Sequence, residues 1–503
     1  MMGTFTRTYG VKVFFMRSGM EQGSPQAGWA VIGGRYWLAI ISAGDVRSPD
    51  VADQRQSPMG GHQPEAGVPR RRLTALARHI AVDIGPLRSS RDFRLLIGGG
   101  AVSMFGSFIT FVAIPFQVKE LTGSYLAVGL LGAAELVLLV GFGLWGGALA
   151  DAVDRRKMVL GCEAGMCLLT GVLLVNSLLD EPQLWPLYVV VGLVAALDGL
   201  QRPSLEALIP RIVAHDQLAA AAAVSSFRWQ AGSILGPVVG GILVVTAPLS
   251  VAYAIDAATF LICLIALSMM RAVPPPVDAE RPSVRGILAG LRYAMSRTEL
   301  VGTYVVDMAA MFFAMPIALF PFLADELGTP WALGMLYAAG QVGALAATLT
   351  SGWTSHVHRH GKAIVYAALA WGAAIAAVGL TRNVWLVLFF LAVAGGADMI
   401  SGLFRSTIWN QTIPDEYRGR LAGIELLSYS SGPLLGQARA GGVASLIGVR
   451  PSIVSGGLMC IASVTALGAG LPRFWTYDDR TNVHAVRQRD LRAAAAAVAV
   501  ADG

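Results

Sequence analysis

Eight carboxylic acids stand inside long apolar stretches of this chain: Glu135, Glu163, Asp198, Glu206, Asp256, Asp307, Asp398 and Glu425. Four arginines share those stretches, Arg202, Arg228, Arg405 and Arg439. A charge left in hydrocarbon costs about 3 kcal/mol or more, so each must face a bundle interior, water or an opposite charge. Such groups can bind and release protons or break and remake ion pairs. Asp198 and Arg202 are four apart and can pair on one helix face, which Glu206 continues. That triplet suits structure or gating better than substrate binding. Glu425 falls in the first turn of its stretch, where the helix dipole favours an anion. Glu135 differs: it lies about 15 Å from the start of its stretch at helical rise, with no nearby cation in sequence. A carboxylic acid that is neutral when buried and charged when wetted is what a proton carrier requires. Asp307 is the second candidate for proton coupling and Asp398 the third. For each, a neutral hydrogen-bonded acid without a transport role is the competing reading.

The elements that position these groups are apolar spans. Of 503 residues, 55% are apolar and 14% charged, and the mean hydropathy is +0.59. A chain this poor in charge cannot cover its apolar surface in water. Twelve stretches are long enough to cross a bilayer: 95–117, 125–149, 158–179, 184–208, 219–245, 250–270, 300–323, 332–353, 363–381, 384–409, 421–446 and 451–470. A spanning helix needs about 20 such residues. With the start of span 1 placed inside, the inner loops hold 13 Lys and Arg and the outer loops three. The bias predicts a multi-pass protein of the cell inner (plasma) membrane with both termini cytoplasmic.

The net charge of +6 lies in the ends of the chain: residues 1–94 carry +6, 471–503 carry +1 and 95–470 carry −1. This excludes a clustered nucleic-acid face and suits tails lying against an anionic membrane. The four cysteines show no C-x-x-C spacing, so neither a metal site nor a redox pair is expected. No P-loop, H-E-x-x-H or G-x-S-x-G occurs, so neither an ATPase nor a hydrolase is suggested. No cofactor is called for and the chain is not expected to be an enzyme.

The sequence divides into an N-terminal extension (1–90), a six-span half (91–270), a linker (271–299), a second six-span half (300–470) and a tail (471–503). The extension is rich in Gly, Pro, Ser and Arg and reads as largely disordered, and residues 1–85 are expected to be dispensable. In the linker, Pro274-Pro275-Pro276 precedes a segment with Ile287, Leu288, Leu291 and Met295 on one face, a plausible interfacial helix. The halves repeat: at an offset of 205, Gly147 falls on Gly352 and Lys157 on Lys362, and at 200, Asp198 falls on Asp398. Two like halves imply a pseudo-twofold axis along the membrane normal and a site between them. The expected fold is all-α integral membrane, twelve transmembrane helices in two six-helix halves.

Three motifs refine this. Between spans 2 and 3 runs Gly147-Ala-Leu-Ala-Asp151-Ala-Val-Asp154-Arg155-Arg156-Lys157. Within span 5 runs Gly232-Ser-Ile-Leu-Gly236-Pro237-Val-Val-Gly240-Gly241, where small residues one turn apart let backbones touch. Between spans 10 and 11 stands Pro414-Asp-Glu-Tyr-Arg418-Gly-Arg420. The first resembles the loop 2–3 motif of the major facilitator superfamily, with Ala152 in place of a basic residue and Asp154 in place of a glycine. The second is similar to the superfamily's helix 5 motif of antiporting exporters. The third, with Arg202-Pro-Ser-Leu-Glu-Ala-Leu-Ile-Pro210 and Ile255-Asp-Ala-Ala-Thr-Phe260, resembles the drug:proton antiporter group that includes enterobactin and macrolide exporters.

The resemblance covers about residues 90–475. It implies alternating access, gating by Gly147, Asp151, Arg155, Arg156, Asp198 and Arg202, and secondary active export of an amphipathic small molecule, drug-like or siderophore-like, against protons. The partners expected are that substrate, protons and the lipid bilayer, with no nucleic acid and a monomer favoured. Phe111, Phe116, Trp145, Phe312, Phe313 and Trp409 are candidates to line an apolar site. Two alternatives stay open: an importer or lipid flippase on the same fold, and a non-transporting membrane sensor or scaffold.

Overall fold

The computed structural model describes residues 83–152, 154–273 and 292–501, with the side chains of 143–152, 415–420, 422–424, 426, 427 and 499–501 left aside. The N-terminal extension through residue 82, and residues 274–291 of the linker with its expected interfacial helix, lie outside the described residues.

Six long helices form the first half: α1 (Arg91–Thr122), α2 (Tyr125–Ala152), α3 (Arg155–Ser177), α4 (Trp185–Ile212), α5 (Leu218–Thr246) and α6 (Leu249–Ser268). The second half holds α7 (Thr298–Phe313), α8 (Leu333–Leu349), α9 (His360–Leu380), α10 (Val384–Thr412), α11 (Asp415–Ile447) and α12 (Val449–Gly470). Sharp sequence signals set the ends. Ser90 Oγ accepts from Phe93 N at 3.1 Å to cap α1, and its hydroxyl donates to Ile212 O at the end of α4. Gly448 alone joins α11 to α12 at φ +90°, a conformation open to glycine.

Among the described residues, ten helical segments are long and apolar enough to cross a membrane. The other two long helices, α4 and α11, have 28 and 33 residues but carry charged side chains such as Asp198, Arg202 and Glu206 in α4. Within the halves, α4 packs against α2 and α3, and α11 against α7 and α12. The seventh span departs from the continuous helix expected over 300–323. It stops at Phe313, passes through a short turn at Ile317–Leu319 and resumes at Phe320–Glu326. Pro316 supplies the reason: it has no N–H for the ladder and disfavours helical backbone at Met315.

The halves meet through α2 against α11 and α5 against α8. Under the internal repeat these two pairs are equivalent, as a twofold axis between halves requires. The contacts tighten at the end of the bundle where α1 finishes. Gly129 lies against Ala438 and Gly441, Gly132 against Leu434, and Gly241 against Gly334, in each case backbone on backbone. At the same end Tyr125 stacks edge-on with Phe322, ring centroids 4.5 Å apart. The halves are therefore closed at that end.

The tail is ordered through residue 501. Phe474 is fully buried against Gly302 of α7, and Tyr477 is buried beside His360. A last helix, α13 (Val483–Ala501), is tied to α10 by Arg492 Nη2 donating to Asn410 O at 2.8 Å.

Candidate functional site

Five of the eight sequence-selected acids fall in two clusters: Glu135, Asp198 and Glu206 in one, Asp307 and Asp398 in the other. In the first, Arg202 of α4 donates from Nη1 to the Tyr429 hydroxyl of α11 at 2.8 Å, joining the halves away from the closed end. Asp198 Oδ2 stands 4.0 Å from Arg202 Nη2, with its side chain 56% exposed. The pair is thus loose and exposed. Glu135 of α2 is half-buried and within electrostatic reach of Asp198. It makes no hydrogen bond or ion pair with the described residues. Glu206 is exposed one turn beyond Arg202.

In the second cluster, Arg405 of α10 forms an ion pair through Nη1 with Asp307 of α7 and reaches Asp398 Oδ1 with Nη2 at 3.5 Å. Asp307 is 4% exposed and Arg405 8%. Two of the three acids selected for proton coupling are therefore held by one guanidinium, and the third, Glu135, is not. The link to Arg405 spans 98 residues to Asp307, and no local spacing announced it. Glu425 lies near Tyr304, whose ring tilts over Trp409.

The loop after α2 works differently from a contact between halves. Asp154 Oδ1 accepts from Lys157 N at 3.1 Å and caps α3, which accounts for an aspartate where a glycine was expected. Arg155 Nη1 donates to Ala207 O of α4 at 3.2 Å. Arg156 donates from Nε to Leu267 O at 3.0 Å and from Nη2 to Ser268 O at the end of α6. Cations over helix C-termini satisfy carbonyls that have no partner in the helix. Gly147 and Asp151 sit in the last turns of α2, and their surroundings lie outside the described residues. The same holds for the side chains of Arg418 and Arg420 in the first turn of α11, which Pro414 precedes.

The helix 5 motif is a two-sided seam. Gly232 faces Met104, Gly236 faces Phe105 and Phe108, and Gly240 faces the Ile109 backbone, all on α1. Gly241 and the Pro237 carbonyl instead meet Gly334 of α8 in the other half. Beside it an aromatic run crosses the halves: Trp229 to Phe108 at 5.7 Å, Phe108 to Phe111 at 6.3 Å and Phe111 to Tyr337 at 5.5 Å. Of the other aromatic candidates, Phe116 carries Lys119 over its ring, Phe312 and Phe313 contact each other, and Trp409 Nε1 donates to Thr303. Trp145 lies outside the described side chains.

Two repeated six-helix halves, closed at one end and joined by small-residue seams, define a membrane transporter of the major facilitator class. Residues 81–495 match the family model described as transmembrane secretion effector, and the chain belongs to that family. It is 29% identical over 398 residues to the enterobactin exporter EntS of Escherichia coli O81 (strain ED1a), covering 78% of this chain and 91% of that protein. Solved structures share the fold. A bacterial homologue of the lysosomal transporter Spinster, in an inward-facing, unoccupied conformation, aligns at TM-score 0.59 and 15% identity over 78% of this chain and 97% of its own. The nucleoside transporter NupG aligns at 0.63 and 12% over 77% and 100%.

Proposed function

We propose that this protein exports an amphipathic small molecule across the cytoplasmic membrane by alternating access, with inward proton flow as the driving force. Both termini are cytoplasmic in this reading, so the closed end faces outward and the conformation is open to the cytoplasm. The similarity to an enterobactin exporter and the two-sided helix 5 seam support export. One observation carries the proton coupling: among the described residues Glu135, on an inter-half helix beside the exposed Asp198–Arg202 pair, has no hydrogen bond or ion pair, while Asp307 and Asp398 share Arg405. An acid free of partners can take a proton on one side and lose it on the other; an acid locked to a guanidinium must first break the pair.

The test uses inverted vesicles with enterobactin as the first probe. Proton-driven accumulation should occur in the wild type and fail in Glu135→Gln, while gradient-free counterflow continues. Accumulation that survives in the variant removes Glu135 as the carrier.

A further inference from the structure

In the interior of the first half, a polar file runs between α1, α3 and α6. Ser103, Gly106 and Thr110 share one face of α1; Glu163 and Thr170 lie two turns apart on α3; Asp256, Thr259 and Cys263 line α6. Neither acid belongs to the clusters above.

Asp256 is 1% exposed. Its Oδ2 accepts from the Thr110 hydroxyl at 2.6 Å and the Thr170 hydroxyl at 3.3 Å. Its Oδ1 is buried without a hydrogen-bond partner. Glu163, 7% exposed, accepts from Gln201 Nε2 at 2.7 Å on Oε1, and its Oε2 is likewise buried and unpartnered. Among the described residues neither acid has an ion pair. The charged and titratable groups facing them are few. Arg228 of α5 is within electrostatic reach of Glu163 but lies over Gly100. The Cys263 and Cys167 thiols are close, and the Tyr253 hydroxyl is committed to Gln117 at 2.6 Å. A buried carboxylate without a counter-ion is the expensive form, and taking up a proton removes the expense.

The hydroxyl geometry says where that proton goes. Thr259 directs its hydroxyl to the Asp256 backbone carbonyl at 2.7 Å, which leaves the lone pairs of its oxygen toward further neighbours. That oxygen and Asp256 Oδ1 both crowd the position a side chain would take at Gly106. An ionised Oδ1 would face a lone pair there. A proton on Oδ1 removes that repulsion along with the cost of an unpartnered buried charge.

We propose that Asp256 is a proton-binding site of the first half, separate from both clusters above, holding a proton on Oδ1 in this conformation, with Glu163 as the adjoining acceptor toward the cytoplasmic end. The inference rests on the proton-coupled reading above and adds a second place where protons bind. It also supplies a link to conformation. Thr110 sits on α1, the helix that packs along the Gly236–Gly240 seam and carries Lys119 to the closed end. A tilt of α1 against α6 alters the Thr110–Asp256 bond and with it the proton affinity.

The experiment is infrared difference spectroscopy on the full chain in lipid nanodiscs, reading the carboxylic C=O stretch at neutral pH. Asp256→Asn should remove one carboxylic band that Glu135→Gln leaves in place. Thr259→Val, which removes the hydroxyl beside Oδ1 while keeping the acid, should shift that band to higher frequency, and this serves if the asparagine variant folds poorly. A spectrum unchanged by both substitutions means that Asp256 is ionised and overturns the proposal. In parallel, vesicle accumulation of enterobactin should be lost in Asp256→Asn. A wild type that moves no enterobactin counts against the exporter reading alone, since the infrared result needs no substrate.

Discussion

Lys119 Nζ, at the end of α1, lies 2.5 Å from Asp325 Oδ2 on the short helix that completes the broken seventh span. The pair ties the first half to the second at the closed end, next to the Tyr125–Phe322 contact. Its partners are unequally wet, with Lys119 12% exposed and Asp325 50%. Half-exposed pairs contribute about 0.2–1 kcal/mol. Lys119→Ala or Asp325→Asn should therefore raise outward opening by no more than about fivefold, measured by cysteine labelling near the closed end. The charge swap Lys119→Asp with Asp325→Lys should restore the wild-type labelling rate.

The Arg405 cluster should respond far more strongly. Removing one member of a buried pair costs about 3–5 kcal/mol because the other charge remains buried. Asp307→Asn and Arg405→Ala should each lower the thermal unfolding midpoint in detergent, Asp307→Asn by less because Arg405 keeps Asp398. Glu135→Gln breaks no pair and should leave the midpoint unchanged. A stable Asp307→Asn would show that Asp307 is neutral beside Arg405 and return it to the proton-carrier candidates.

These contrasts mark what could be read along the chain. Apolar length placed a stretch on each of α1 to α12, although charges keep α4 and α11 from reading as apolar spans. It missed the interruption at Pro316 because Phe312–Phe320 is apolar on both sides of the break. It placed the start of α11 at residue 421, six residues late, because the first turn is polar. Spacing found Asp198 with Arg202, which lie on one helix. It could not find Arg405 with Asp307, Arg202 with Tyr429, or Thr110 and Thr170 with Asp256, each formed between helices far apart in sequence. Nor did the tail announce its docking, since Phe474 and Tyr477 find their partners on α7, α9 and α10.

The docked tail has a pH dependence of definite sign. Partial desolvation by the docked surface and the nearby Arg297 hold His484 below the usual histidine range. Docking therefore favours the neutral imidazole. As pH falls through the ordinary histidine value of about 6.5, the undocked tail takes up protons first and docking weakens. Asp478 is silent there: the Arg480 side chain and backbone N–H hold its carboxyl well below the usual range, so its contribution is lost only in stronger acid. Amide protection factors of α13 should fall between pH 7 and 5.5 in a His358→Asn background, which removes the 3.0 Å His358–Asp479 contact. Adding His484→Gln should abolish the fall. Because His484 is exposed, the change should be small.

The glycines of α5 separate packing from gating. A methyl on Gly232 would meet the terminal Cε of Met104, 2.7 Å away, and that flexible end can swing aside. A methyl on Gly241 would meet the backbone of Gly334 across the halves, which cannot yield without moving α8. Both are small-residue positions in one ten-residue motif, so composition alone assigns them the same role. The structure does not. Gly232→Ala should keep transport within about twofold of wild type, the tolerance of a well-accommodated methyl. Gly241→Ala should hold α5 off α8, open the closed end and raise labelling of a cysteine placed at Thr246, with transport reduced at least as strongly as the closed state is depopulated. Gly334→Ala meets the same backbone from the other side and should give the same labelling. If Gly241→Ala instead transports and labels like the wild type, the seam between α5 and α8 is not what closes this end, and Gly129, Gly132 and Gly441 of the α2–α11 pair become the positions to substitute next.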